Sequence, residues 1–242
     1  MHHADVVELV DTLDSGSSAW KGMKVQVLSS ALKNRRIRPA VFLYIPHMED
    51  FLTEIPDIPI EGERVTLRLL HGDDAEALYS VIDGSRDFLA RHLPWPEDCL
   101  SDDDVAARID SWEIQAEMAN GACWGIFERK QDHTSGPVLA GAIMLGWIQA
   151  QHRSASVSYW LGESFTGRGL ATEALRLLAR HAFTELGLNR LELSASVSNT
   201  ASQAVATRAG FSEEGKCREF ERIHGKFEDH VRFARLASDP EI

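Results

Sequence analysis

The sequence predicts a mixed α/β domain over residues 48–242, a central mixed sheet flanked by helices. Three observations predict it. Short β-like runs interleave with longer stretches of helical, amphipathic spacing. Glycine and proline punctuation separates these runs at element-sized intervals. The composition, 44% hydrophobic and 26% charged over 242 residues, is that of a globular chain able to bury a core.

In chain order, "RVTLRLL" at 64–70 alternates as a strand, and "GDDAEALYSVI" opens a helix with acids in its first turn. "FLARHLPWP" at 88–96 reads as a short helix stopped by two prolines around Trp95. Ser101 and Asp104 form a capping box for a helix that ends at Asn120-Gly121. The acid run 102–104 is most simply its solvated start. "ACWGIFER" at 122–129 and "PVLAGAIMLGWI" at 137–148 flank the turn "KQDHTSG" as a hairpin, and "SASVSYWLG" at 154–162 is a third strand. A glycine turn then enters a helix over 168–186, followed by a strand at 190–197. The next helix has Asn199 as its cap and Gly210 as its stop, and two strands joined by "HG" close the chain. The main elements run βααβββαβαββ.

The totals exclude several functions. A net charge of −12 argues against nucleic-acid binding. No apolar run approaches the roughly 20 residues of a membrane span. Three widely spaced cysteines, Cys99, Cys123 and Cys217, suit a reducing, cytoplasmic setting and show no metal-ligand spacing. No metal is expected.

Residues 1–47 read differently, with β-like runs broken by "SGSSAWKG" and a basic "KNRRIR". They are expected to be a non-native or disordered extension. With ordinary codons, "LDSGSS" can be written with complementary arms CTGGA and TCCAG. "ELVDT" and "KVQVL" can be written to match neighbouring arms of a leucine transfer-RNA gene. The first 30 or so codons are therefore expected to be a transfer-RNA gene read as protein, with Met48 as the natural start.

The turn in "ESFTGRGLATEALRLLARHAF" at 163–183 raises the functional question. Two glycines and an alanine at a helix entrance serve a tight connection. They serve equally as a cradle of exposed N–H groups for a phosphate. No GK[ST] follows, as a P-loop would need, and no GxGxxG with a downstream ribose acid.

"TGRGLATEAL" at 166–175, "NTASQAVATRAGF" at 199–211 and the tail "EEGKCREFERIHGKFEDHVRFARL" stand in order and at family spacing. Over roughly 58–237 the chain resembles the Gcn5-related N-acetyltransferases (GNAT), most closely their RimJ/RimL-like ribosomal-protein N-terminal acetyltransferases. The resemblance implies a mostly antiparallel sheet in which two parallel strands splay into a V. It also implies acetyl-CoA as co-substrate, its pyrophosphate on the turn formed by Gly167, Arg168, Gly169, Ala171 and Thr172. The pantetheine arm is expected in the splay, against backbone near Trp160 and Leu161 and beside Asn199. Thr166 departs from the family pattern, which often has Gln or Arg there, and Arg168 is expected to compensate.

Acetyl transfer to an amine needs a base for the amine and a donor for the departing sulfur. Many relatives carry a tyrosine where this chain has Ala206. The subgroup instead implies Ser202 and Glu221 as the catalytic pair, with Trp95 walling the acceptor pocket. Each also has a plain structural reading: a first-turn serine, a strand glutamate, a loop anchor. His92, His224, His230 and Cys217 are weaker candidates.

The expected acceptor is the N-terminal α-amino group of a protein, with a small cationic amine as the alternative. A catalytically silent acyl-CoA-binding domain is a further alternative. The expected assembly is a monomer or homodimer.

Overall fold

The computed structural model describes residues 54–130 and 136–240. The extension 1–47 and the centre of the turn "KQDHTSG" lie outside them. β1 (Ile60–Glu61) and β2 (Val65–Leu69) open the sheet, followed by α1 (Ala75–Asp83), α2 (Arg86–Leu89) and α3 (Asp102–Glu117). β3 (Ala122–Glu128), β4 (Val138–Gln149) and β5 (Ser154–Leu161) lead into α4 (Leu170–Thr184). β6 (Arg190–Ser196), α5 (Thr200–Arg208), β7 (Ser212–Ile223) and β8 (Lys226–Leu236) complete the order. Eight strands pair in the order β1-β2-β3-β4-β5-β6-β8-β7.

β5 and β6 make the one parallel pairing of the described sheet, and it is brief. Ser154, Ala155 and Ser156 stand opposite Arg190, Leu191 and Glu192, and the two strands then part. β5 stays paired with β4 as far as Leu161, and β6 with β8 as far as Ser196. The result is the expected V, whose open arms are 157–161 and 193–196.

Both faces are covered. α4 and α5 pack on one face with Leu170, Ala174, Leu178, Leu191 and Leu193. α1 and α3 cover the other with Leu78, Ile82, Val105 and Ile109. The middle strands therefore read as apolar runs, and in β3 Trp124 and Ile126 are fully buried. Burying each such side chain contributes roughly 1.5–3 kcal/mol. The α3 capping box forms: Ser101 Oγ accepts from the Asp104 N–H at 3.2 Å, and Asp104 accepts from the Ser101 N–H at 2.9 Å.

Two local expectations are corrected. The stretch 88–96 is not one short helix. α2 ends at Leu89, and Trp95 instead leads into a short 3₁₀ turn, Pro96–Asp98, with Pro96 at its first position. The Arg86 guanidinium then holds the following loop through the Pro96 and Cys99 carbonyls. Residues 60–61, just after Pro56 and Pro59, also form a strand that the sequence reading passed over. β1 is only two residues long and pairs on one side, where flanking prolines do no harm.

Candidate active site

The turn before α4 is made of backbone. Gly167 and Gly169 both take left-handed conformations, φ 71° and 79°, which a side chain would strain. They turn the chain so that the N–H groups of Gly167 through Thr172 find no acceptor among the described residues. With them comes the positive end of a fifteen-residue helix. A diphosphate has the complementary chemistry, so the turn fits the expected coenzyme.

The first turn of α4 is tied to the start of β2. Glu173 accepts from the Arg64 N–H at 2.8 Å and from Arg64 Nε at 2.8 Å, while Arg64 Nη1 donates to the Arg168 carbonyl at 3.0 Å. Burial alone would raise the Glu173 carboxyl. The Arg64 and Val65 N–H groups and the Arg64 guanidinium outweigh it and hold the carboxyl below its ordinary range.

Two expected side-chain contributions to the cradle change. The Arg168 guanidinium is paired with Glu128 on β3, so it does not stand free to replace the missing residue at Thr166. The Thr166 hydroxyl is itself bonded to the Glu163 carbonyl at 2.8 Å. The Thr172 hydroxyl is enclosed and unpartnered, so Thr172 offers its N–H instead. Ala171 is buried and keeps the helix entrance narrow.

The gap lies between the open arms of β5 and β6. The Gly162 N–H donates to the Ala140 carbonyl at 2.9 Å, which sets the alternation along β5. Trp160 and Ser158 turn their backbone groups to β4, and Tyr159 and Leu161 turn theirs into the gap. The Leu161 backbone therefore lines the gap, whereas Trp160 presents its indole rather than its backbone. Asn199 caps α5, its Oδ1 accepting from the Ser202 N–H at 3.0 Å. Its amide nitrogen has no partner among the described residues. Ser202 Oγ lies 2.8 Å from the hydroxyl of Tyr159.

Glu221 lies on the other side of the sheet. The odd-numbered residues of β6 face α4 and α5, so Ser194 and Ser196 face the opposite way. His230 stands opposite Ser196 and is buried. Its Nε2 is 3.4 Å from Glu221 Oε2. Burial, reinforced by the charge of Glu228 across the strands, raises the Glu221 carboxyl above its usual range. Burial also lowers the His230 imidazole, against the pull of Glu228. The raised pKa makes the Glu221 carboxylate a stronger base once ionised, and the lowered one keeps the His230 imidazole neutral and able to accept a proton. The signal for His230 is its cross-strand register, which one strand's sequence does not display. His224, by contrast, is a turn residue, its Nε2–H donating to the Ala90 carbonyl at 2.6 Å.

Next to this face is a cavity of about 230 Å³, lined by Trp95, Trp112, Trp160, Met144, Ile82 and Arg108 among others. Trp95 and Trp160 approach with ring centroids 5.5 Å apart, and the Arg108 guanidinium lies 5.6 Å from the Trp95 ring centre. Arg108 is the one charged residue of the lining. β5 is therefore a shared wall, with the gap along its edge and the cavity under Trp160. Among the described residues no cluster of His, Cys, Asp or Glu is placed to hold a metal ion, and no helix is long and apolar enough to cross a membrane.

Comparisons with known proteins agree with this geometry. The family model described as Acetyltransferase (GNAT) domain matches residues 64–212. YdaF of Bacillus subtilis (strain 168) is 35% identical over 176 residues, 72% of this chain and 92% of that one. The ribosomal-protein-serine acetyltransferase of Escherichia coli (strain K12) is 27% identical over 175 residues, 72% of this chain and 94% of that one. Among solved structures, Mycobacterium smegmatis RimJ in complex with CoA-disulfide superposes with a TM-score of 0.68 at 26% identity, over 75% of this chain and 88% of that one.

Proposed function

The chain belongs to the GNAT acetyltransferase family and is an acetyl-CoA-dependent N-acetyltransferase, and we propose that its acceptor is the N-terminal α-amino group of a protein. The observation that carries this reading is the cavity beside the gap. Its walls are aromatic and aliphatic, and its one charged lining residue is the cation Arg108. A polyamine or aminoglycoside would bring further positive charge to that arginine, which is unfavourable in a partly desolvated site. A peptide N-terminus brings one amine and one side chain, and the cavity has the size and polarity of an uncharged side chain. The ribosomal-protein relative supports the same class of acceptor.

In this reading the residues divide the work. The N–H groups of 167–172 hold the coenzyme's diphosphate. Bound acetyl-CoA supplies an activated acyl group as a thioester. The Leu161 backbone in the gap aligns the carbonyl, and Ser202 faces the sulfur. Glu221 takes the proton of the attacking amine, and His230 at 3.4 Å shares that charge. The amine thus meets its base and the sulfur its hydrogen-bond donor on opposite faces of the sheet. Proximity alone supplies a large share of the rate in such an arrangement.

The test is turnover of acetyl-CoA with N-terminal peptides, lysine-only peptides with blocked termini, and spermidine. Free thiol and the mass of each acceptor are followed together. Acetylation confined to free peptide N-termini is the expected result. Acetylation of spermidine in preference to every peptide would overturn the acceptor assignment. Tight coenzyme binding without turnover of any acceptor would instead favour a silent acyl-CoA binder.

A further inference from the structure

The Tyr159 and Ser202 hydroxyls meet across the gap. Tyr159 belongs to the arm of β5 that has parted from β6, and Ser202 sits in the first turn of α5, which follows β6. Their oxygens are 2.8 Å apart, either able to donate, and the Ser202 carbonyl, which can only accept, is a second acceptor for the Tyr159 O–H at 3.2 Å. A phenol has one hydrogen to give. The Ser202 carbonyl already faces the helical N–H ladder of α5, four residues ahead of Ala206. Ser202 Oγ is the closer acceptor and has no such competitor. The serine is fixed from behind as well, because its N–H is held by Asn199.

We propose that Tyr159 is a positioning residue for Ser202. Its O–H donates to Ser202 Oγ, so the serine's own hydrogen points into the gap as a donor to the sulfur that leaves. This rests on the reading of Ser202 as the group that faces sulfur. In the transfer, the amine nitrogen forms the new C–N bond and the C–S bond breaks with its electron pair going to sulfur. The amine's proton goes to Glu221. Neither hydroxyl loses its proton. Burial pushes the Tyr159 phenol up to about 12, and a thiolate whose acid ionises near 8.5 is too weak a base to take its proton. The pair therefore stabilises the sulfur's charge by hydrogen bonding, with the serine's direction set by the tyrosine.

The experiment titrates the thiol of bound CoA, read by ultraviolet thiolate absorbance, in wild type, Tyr159→Phe, Ser202→Ala and the double variant. In wild type the bound thiol should ionise at lower pH than free CoA. Each single variant should raise that ionisation by about one pH unit, a tenfold loss of preference for the thiolate. The double variant should go no further than the singles. The same variants should lose more rate with thioesters of poor leaving thiols than with good ones. If Ser202→Ala shifts the titration and Tyr159→Phe does not, the role of Tyr159 is overturned while Ser202 stands. If Ser202→Ala leaves the titration unchanged, the reading of Ser202 fails. If the two shifts add in full, Tyr159 acts independently of Ser202 and the positioning claim is wrong. A tyrosine that merely strapped the gap together would lower thermal stability without moving the thiol titration.

Discussion

The turn before α4 and the reaction end of the gap are two ways of building one site. The turn is contiguous, six N–H groups in a row, set by two left-handed glycines and one helix. The reaction end is assembled from β5, α5, β7 and β8, and everything it offers beyond Leu161 is side chain. In the proposed function the first holds charge with backbone dipoles that do not titrate, whereas the second depends on Glu221 being deprotonated, with burial and Glu228 opposing that. Holding a constant dianion calls for fixed dipoles, whereas moving a proton calls for groups whose charge changes.

The largest expected effect lies at the reaction end. Glu221→Gln should lower kcat/KM by roughly 10²- to 10⁴-fold with coenzyme affinity unchanged. Activity should be present above the folded-state pKa of Glu221 and fall as pH drops through it. That limb should lie above the ordinary glutamate value of about 4.3. Glu228→Gln removes one of the two causes of the shift, so it should move the limb to lower pH. A limb unmoved by Glu228→Gln would assign it to another group.

At the turn, Gly169→Ala puts a Cβ at φ 79° and 2.9 Å from Arg64 Nη1. Left-handed backbone costs an L-residue about 1–2 kcal/mol, so the turn should relax and CoA affinity fall about tenfold. Gly167→Ala carries the same strain, but its Cβ would meet nothing within 4 Å, and it should cost less. Calorimetric titration of CoA separates the two.

Trp95→Ala opens the cavity wall and should raise the acceptor KM up to roughly tenfold while leaving CoA affinity alone. An effect on CoA rather than acceptor would move the cavity to the wrong side of β5.

The smallest effect is expected at Glu173, which ties the turn to β2. Its folded pKa is depressed, so its contribution is present above the unfolded value and is lost as pH falls through the folded one. Arg64 is 53% exposed, so Glu173→Gln should cost about 1 kcal/mol or less at neutral pH and nothing in acid. Thermal melts at two pH values test this.

The same contrast explains how far the sequence could be read. The turn was legible because its shape follows from residues adjacent in the chain: two glycines, an alanine and a helix. The element order, with β5, α4, β6 and α5 in succession, was legible for the same reason. What stayed hidden depends on partners far away in sequence. The Arg168 guanidinium looks available in "TGRGLA" until Glu128, 40 residues earlier, is found beside it. Tyr159 reads as one more apolar strand residue until α5 brings Ser202 to its hydroxyl, and His230 until β7 brings Glu221. Trp160 was assigned to the gap by position, and only pairing with β4 shows that its backbone points away.

The most direct test of this division compares acetyl-CoA with acetyl-pantetheine, which lacks the diphosphate, in wild type, Gly169→Ala and Glu221→Gln. If the turn serves the diphosphate alone, Gly169→Ala should lower kcat/KM for acetyl-CoA and leave acetyl-pantetheine unaffected. Glu221→Gln should be equally damaging with both. A Gly169→Ala defect that persists undiminished with acetyl-pantetheine would contradict the account.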